Sequence, residues 1–257
     1  MQKITGKRTL RFVYPVIGIV ILCIVWEIAH QSGVFDSTLL PGVVTIIKSL
    51  LDLLVSAGIL SDIGWTLLRA FGGFALAVIV GVPLGISMGM FKPIYLSTLP
   101  LVDFFRSIPV TTLYPIFVLL LGVRDASKIG MIFTACVFVV TLNSAYGVTQ
   151  AKPIRRQMAS LYGCSKYKIL RLITFKEALP QTFIGLRVAL SLSLIVAVLG
   201  EMFMGCEFGL GQRLTDAYTT FSVDRMYALV FLTGLIGFLL NRLFIRVENY
   251  FVPWAGL

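Results

Sequence analysis

The sequence predicts an all-α membrane protein with about six transmembrane helices. Of its 257 residues, 58% are hydrophobic and 13% are charged, whereas a soluble domain carries about 25% charged residues. The mean hydropathy is +0.93, and six apolar segments are long enough to span a bilayer. A water-soluble fold cannot bury this much apolar surface.

The first predicted span covers residues 12–28 and follows a basic amino terminus. Four positive charges precede it, at Lys3, Lys7, Arg8 and Arg11. This arrangement imitates a secretory signal, but no small-x-small cleavage site follows it, and further apolar segments do. We therefore expect a retained first helix.

Five further apolar segments are predicted spans: residues 65–90, 99–121, 129–148, 183–204 and 227–245. Each is long enough to cross the bilayer when some tilt is allowed. Residues 39–57 differ, because their apolar side chains recur at helical spacing around Lys48 and Asp52. That pattern is typical of a helix that lies in the membrane interface.

The distribution of Lys and Arg predicts that both ends of the chain are cytoplasmic. Residues 150–178 hold seven Lys or Arg against the single Glu177, and with six spans they lie on the same side as the basic amino terminus. The connections at residues 31–64 and 207–225 each carry three acidic residues and fewer basic ones. These two connections are therefore expected outside.

The second predicted span carries a stripe of small residues at every fourth position: Gly73, Ala77, Gly81, Gly85 and Gly89. In lipid, such a stripe allows two helix backbones to approach closely. Tight packing inside the bundle is the simpler interpretation, and a moving interface along a solute path is the alternative.

Several function classes lack their sequence signatures. The four cysteines have no disulfide or zinc spacing, and the single histidine, His30, cannot assemble a metal cluster or a hydrolytic triad. No Gly-x-x-x-x-Gly-Lys-Ser/Thr loop is present to bind ATP. The net charge of +10 is explained by cytoplasmic loops rather than by nucleic acid. Any ATP-driven work must come from a partner.

Charged residues within apolar runs are expensive in hydrocarbon and are therefore candidate functional residues. Glu27, Arg69 and Arg187 lie near predicted span ends, where reaching toward the headgroups explains them.

Arg106 lies several residues into the third predicted span. It can hold a transported anion, or it can pair with Asp103 one helical turn away. Helix breaks are expected at Pro109 and Pro115. Glu201 precedes a glycine-rich turn, where it can shape an outer gate or simply mark the end of a helix.

The strongest local pattern lies between the fourth and fifth predicted spans. Gln157-Met158-Ala159 is followed after three residues by Gly163 and then by an amphipathic stretch at residues 167–175. We expect a short helix, a glycine turn and a second helix, held at the membrane surface by flanking basic residues. A turn of this kind can dock into a groove on a soluble partner.

This pattern resembles the EAA loop of permease subunits in ABC importers. The family pattern is Glu-Ala-Ala, three residues, Gly, nine residues, Ile, one residue and Leu-Pro, and here Gly163 and Ile173 stand at the matching spacing. Gln157 and Met158 replace Glu and the first Ala, and Phe175-Lys176 replaces Leu-Pro. The resemblance implies a coupling role without the salt bridge of the missing Glu.

The resemblance covers most of the chain from Leu40 onward and is closest to the nitrate, sulfonate, taurine and bicarbonate branch. The matching pieces keep their order and spacing: Leu40-Pro41, Thr66 with Arg69, Gly73-Phe74, Gly81 through Gly85, Pro100-Leu101, Arg106-Ser107-Ile108-Pro109, Asn143, Ala178-Leu179-Pro180, Gly185-Leu186-Arg187, Glu201 and Gly209-Leu210-Gly211. The same branch handles aromatic acids and vitamin precursors, so the cargo stays open.

The resemblance implies the type I ABC importer permease fold, with one transmembrane permease domain over residues 1–257 and a cytoplasmic coupling loop at about residues 150–178. Two permease copies, expected to be identical, would face each other in the bacterial cytoplasmic (inner) membrane. Two ATPase subunits would lie beneath them and a solute-binding protein above. ATP and Mg would bind the ATPases, and this chain would bind no cofactor or nucleic acid.

The coupling residues implied by the resemblance are Gln157, Ala159, Gly163, Cys164, Ser165 and Ile173. The candidate residues of the translocation path are Arg106, Ser107, Pro109, Asn143 and Glu201. We expect the cargo to be a small anion, such as nitrate, bicarbonate or a sulfonate. Two alternatives are a stand-alone secondary transporter or channel, which would be expected to show internal repeats, and a membrane-bound enzyme, which would need a catalytic constellation.

Overall fold

The computed structural model describes residues 5–34, 36–151 and 153–256, and the regular elements within them are all helical. They divide into two compact units. One runs up to Ile59 and includes Leu214–Leu232, and the other contains Leu60–Arg213 with the residues from Thr233 onward. Lys3 and Lys152, two of the basic residues that predict the orientation, lie outside the described residues.

The prediction of an all-α fold is confirmed. The α-helices in chain order are α1 (Thr5–Gln31), α2 (Val43–Val55), α3 (Ile59–Met90), α4 (Lys92–Arg106), α5 (Tyr114–Leu121), α6 (Asp125–Thr149), α7 (Pro153–Leu161), α8 (Lys166–Ile169), α9 (Phe175–Met204), α10 (Leu210–Thr219) and α11 (Val223–Phe251). Short 3-10 helices at Val110–Leu113 and Pro253–Gly256 and a π-helix at Leu170–Thr174 complete the described elements.

Four helices among the described residues are long and apolar enough to cross a membrane: α3, α6, Tyr167–Met204 and α11. They contain the predicted second, fourth, fifth and sixth spans. Within α1, Val16–Gln31 is apolar but shorter. The predicted third span corresponds to a broken pair of helices.

The third predicted span is two helices rather than one. The axes of Lys92–Arg106 and Val110–Leu121 differ by 84°. The break falls immediately before Pro109, as the sequence predicts, because the residue that precedes a proline is disfavoured in helical conformation. The break predicted at Pro115 is wrong. Pro115 lies in the first turn of α5, where its missing N–H has no intrahelical acceptor to lose.

In the first unit, α1 holds the start of α2. Trp26 Nε1 donates to the Pro41 carbonyl oxygen at 3.0 Å, and its ring packs edge-on against Tyr227. Glu27 Oε2 accepts a hydrogen bond from the Val43 N–H at 3.1 Å, so this carboxylate satisfies a donor at the positive end of α2. Glu27 therefore has a structural role at the start of α2 that its place near a span end did not predict.

In the second unit, α3 packs against α6 through the predicted stripe of small residues. A Cβ atom at Gly85 would lie 2.2 Å from the Thr141 carbonyl oxygen, and one at Gly89 would lie 2.5 Å from Val148 Cβ. Ala77 in the same stripe is fully buried. The tight helix packing predicted from the stripe is thus confirmed.

The opposite face of α6 packs against α9. A Cβ atom at Gly185 of α9 would lie 2.3 Å from Asn143 Cβ. Arg187 of α9 pairs with Glu248 of α11 at 3.8 Å, and because its side chain is 37% exposed, its reach toward the headgroups stays a prediction. α9 continues backward through the π-helix, and Tyr167–Met204 forms one run of 38 residues. At ~1.5 Å per residue it reaches about 57 Å, well beyond the ~30 Å hydrocarbon core.

Candidate functional site

The predicted short helix and glycine turn are both present in the coupling loop. The Cys164 N–H donates to the Ala159 carbonyl oxygen and the Gly163 N–H to that of Ser160, each at 3.0 Å. Gly163 has a φ of +73°. These bonds form a Schellman motif, which requires a left-handed residue after the helix and favours glycine there. Ser165 then starts α8, since the Ile169 N–H donates to its carbonyl oxygen.

The loop presents an apolar surface to its surroundings. Leu161 is 88% exposed, and Tyr162 is 85% exposed. Met158 is exposed on the same helix, one turn earlier. Large apolar side chains this open at a turn are available to contact a partner or the membrane surface.

The remaining coupling residues lie around this surface. Gln157, Cys164 and Ser165 are exposed beside it, whereas Ala159 is half-buried. Ile173 lies apart from them in the π-helix and lines a groove of about 330 Å³ with Trp254.

One ion pair ties α7 to the long helix. Arg155 Nη1 donates to Glu177 Oε1 at 2.7 Å, and both residues line the same groove as Ile173. The second oxygen of Glu177, Oε2, is buried and accepts no hydrogen bond from the described residues. Glu177 is the single acid in the basic segment at residues 150–178, and that contrast in charge is the signal that could have revealed its role as the partner of Arg155.

At the opposite end of α6, a buried network of charged residues joins α3, α6 and α9. Arg69 is 3% exposed and Glu201 is fully buried. Arg69 Nη1 donates to Glu201 Oε1, and Arg69 Nε donates to Asp125 Oδ1, each at 2.6 Å. Arg69 Nη1 also donates to the Phe208 carbonyl oxygen at 2.8 Å. The headgroup explanation of Arg69 is therefore wrong.

The glycine-rich turn after α9 closes over this network. The Gly211 N–H donates to Glu201 Oε2 at 2.9 Å, and the Leu210 N–H donates to Thr66 Oγ1 at 3.0 Å. Asp62 accepts from the Gly209 N–H at 2.8 Å. The first N–H groups of α10 are thus satisfied by acidic and hydroxyl side chains, which the positive end of a helix favours.

The candidate path residues lie in three separate places, and no hydrogen bond between described residues joins those places. Arg106 ends α4 and pairs with Asp103 at 2.9 Å, and Ser107 follows it at the 84° bend before Pro109. Asn143 lies between α6 and α9, where its Oδ1 accepts from Gln181 Nε2 at 3.1 Å. Glu201 lies in the buried network.

Sequence reasoning considered Arg69 and Glu201 separately and missed that they pair. The signal was available, because a charge inside an apolar helix needs a partner of opposite sign. Arg69 lies near the start of one span and Glu201 near the end of another that runs in the opposite direction, so both occupy the same end of the bundle. Asp125, which begins α6 at that end, was not considered at all.

Comparisons with known proteins identify the family to which the sequence is similar. Residues 77–256 match the family described as "Binding-protein-dependent transport system inner membrane component". The nitrate import permease protein NrtB of Synechocystis sp. is 28% identical over 96% of this chain and 94% of its own length. The bicarbonate transport system permease protein CmpB of Synechococcus elongatus is 29% identical over 98% and 89%. The formylaminopyrimidine transport permease protein ThiX of Halalkalibacterium halodurans is 29% identical over 96% and 98%.

A solved structure of the MetNI methionine ABC transporter in an inward-facing conformation shares the fold. Its matching chain aligns with a TM-score of 0.67 at 16% identity and covers 75% of this chain and 95% of its own length. The family match covers more than half of the chain. This protein therefore belongs to the binding-protein-dependent transport system inner membrane components and is a permease of the type I ABC importers, as the resemblance implied.

Proposed function

We propose that this chain forms half of the solute path of an ATP-driven importer and that the solute is a small oxyanion. Two identical copies face each other, two ATPase subunits bind the turns at Gly163, and an extracytoplasmic binding protein delivers the solute. The chain itself catalyses no reaction. Both of its ends lie in the cytoplasm, as the basic amino terminus and the basic segment at residues 150–178 predict.

The observation that carries this proposal is the exposed turn at Gly163 and its connection to the bundle. The turn displays Leu161 and Tyr162 with nothing from the described residues covering them. It leads into the run Tyr167–Met204, and Arg155 braces it against Glu177 on that run. A force applied to the turn therefore reaches the helix that carries Glu201.

The proposed cargo rests on the relatives and on the cationic candidate in the path. Two of the relatives are named for nitrate and bicarbonate, and one for a formylaminopyrimidine. Arg106 is exposed at the bend between α4 and α5, where a fixed positive charge attracts an anion. We propose that the anion passes Arg106, Ser107 and Pro109.

The proposal is tested by reconstituting the permease with its ATPase subunits and binding protein in liposomes. We expect labelled nitrate or bicarbonate to accumulate only when ATP is supplied to the ATPases. Gly163→Val should abolish this uptake, because a β-branched residue is strongly disfavoured at positive φ and costs roughly 1–2 kcal/mol or more there. Apart from its two chain neighbours, no described residue has an atom within 4 Å of a Cβ at this position, so the defect would come from the backbone rather than from a clash.

Gly163→Asn is the matched control, because asparagine tolerates the left-handed conformation. It should keep most of the uptake and the bound ATPases. Solute flux that needs no ATP and follows an ion gradient would instead establish a stand-alone transporter. Full ATP-driven uptake by Gly163→Val would remove the turn from the mechanism.

A further inference from the structure

A cleft of about 640 Å³ lies beside the buried network, at the end of the helices opposite the coupling loop. Its wall includes Arg69 and Lys128 from the helices, together with Cys206 from the turn after α9. Arg124 and Glu207 line it as exposed residues. The buried network uses Arg69, but neither the network nor the proposed function gives Lys128 a role.

Lys128 is an unusual lysine, because it is only 2% exposed. Its stem packs over Gly200, where a Cβ atom would lie 3.7 Å from Lys128 Cγ. The lysine stem thus lies against α9, and Lys128 forms part of the cleft wall. Its ammonium group makes no hydrogen bond or ion pair with any residue that the structure describes. A buried ammonium without acceptors is strongly unfavourable.

Among the side chains that line the cleft, hydrogen-bond donors outnumber acceptors. The Nη2 group of Arg69 and the guanidinium of Arg124 join Lys128 in lacking an acceptor among the described side chains. On the acceptor side, Asp125 Oδ1 already accepts from Arg69. Asp125 Oδ2 and the exposed Glu207 carboxylate are the lining carboxylate oxygens that remain. This surplus of hydrogen-bond donors favours a ligand that is negatively charged and rich in hydrogen-bond acceptors.

We propose that the cleft around Lys128 binds a small oxyanion with three oxygens on one centre, as in nitrate, bicarbonate or a sulfonate group. Lys128 and Arg69 Nη2 donate to its oxygens from the buried side, and Arg124 donates from the rim. The inference rests on the proposed function, in which the solute enters at this end of the helices. It adds a binding site at the entrance that is separate from Arg106.

The native thiol of Cys206 reports on the cleft directly, because Cys206 is part of its wall. In a Cys23→Ser/Cys164→Ser background, the remaining cysteine besides Cys206 is the buried Cys136. Burial raises the pKa of the Cys206 thiol, so the rate of its reaction with iodoacetamide is measured at alkaline pH on the purified complex. We expect nitrate, bicarbonate or methanesulfonate to slow this reaction several-fold relative to chloride at equal ionic strength.

Lys128→Met should abolish the protection, because methionine keeps an unbranched stem over Gly200 but donates no hydrogen bond. Lys128→Arg should keep part of it. Lys92→Met, which removes an exposed lysine at the start of α4, should keep all of it. No protection in the unsubstituted cleft, or equal protection in Lys128→Met, would overturn the site.

This measurement requires neither ATP nor transport. ATP-driven uptake without protection of Cys206 would overturn the site and leave the proposed function intact. Protection of Cys206 together with solute flux that needs no ATP would overturn the proposed function and leave the binding site intact.

Discussion

Arg69 is the residue that joins the members of the charged network at this end of the bundle. Its guanidinium contacts Glu201, Asp125 and the Phe208 carbonyl oxygen. Glu201 is fully buried and would be an uncompensated charge without Arg69. Removing one partner of a buried ion pair costs on the order of 3–5 kcal/mol, which is far more than the pair contributes relative to an apolar replacement.

Arg69→Met should therefore lower the thermal unfolding midpoint of the detergent-solubilised permease by a large amount. Arg69→Met combined with Glu201→Met should recover much of the loss, because the second change removes the unpaired carboxylate. A double variant that is as unstable as the sum of the two single variants would contradict this account of the network.

Arg106→Gln is the matched control for Arg69. Arg106 forms an ion pair with Asp103, and both side chains are about half exposed. Exposed ion pairs contribute about 0–1 kcal/mol to stability. We expect an unchanged unfolding midpoint and a reduced uptake of oxyanion, as the charge at the bend is proposed to serve the path. Normal uptake by this variant would remove Arg106 from the path.

At the scale of helices, α6 is the central element of the second unit, with α3 on one face and α9 on another. The stripe on α3 predicted close contact without naming the partner helix, which the structure identifies as α6. The fit is tight, since a Cβ atom at Gly73 would lie 2.5 Å from Ile132 Cβ. Even a methyl group is too large at such a position.

Gly85→Ala should destabilise the permease by roughly 1–3 kcal/mol, the usual cost of overpacking. The same substitution at Gly72 is the control, because a Cβ atom there would meet Ile129 Cδ1 at an ordinary 3.5 Å. The test compares the expression level and the thermal unfolding midpoint of the two variants in the same detergent. Equal stability of Gly85→Ala and Gly72→Ala would contradict the packing.

Hydropathy predicted where the long membrane helices lie and roughly where each begins and ends, because a membrane helix must be both long and apolar. The bend before Pro109 followed from proline chemistry. The fusion of the coupling segment to α9 did not, because basic residues between 166 and 176 interrupt the apolar run and disguise a continuous helix. The Arg69 network was also missed, since it depends on which helix ends meet in space rather than on any local spacing.

At the scale of the whole molecule, two candidate sites lie at opposite ends of α6. The coupling turn follows its carboxyl end, and the Arg69 network and the Lys128 cleft lie at its amino end. The helix has 25 residues, so at ~1.5 Å per residue the ends are about 37 Å apart. Coupling over this distance requires an element with two states that both ends influence, and the run Tyr167–Met204 extends from one end to the other.

The central claim is that the turn at Gly163 faces the cytoplasm and docks onto an ATPase, and its native Cys164 tests both parts at once. Cys164 is exposed at the turn. In a Cys23→Ser/Cys206→Ser background, the reaction of Cys164 with a membrane-impermeant maleimide is compared between intact cells and inside-out vesicles, with and without bound ATPase subunits. We predict no modification in intact cells, rapid modification in vesicles stripped of ATPase, and protection when the ATPases are bound. Modification in intact cells, or an equal rate with and without the ATPases, would contradict the account.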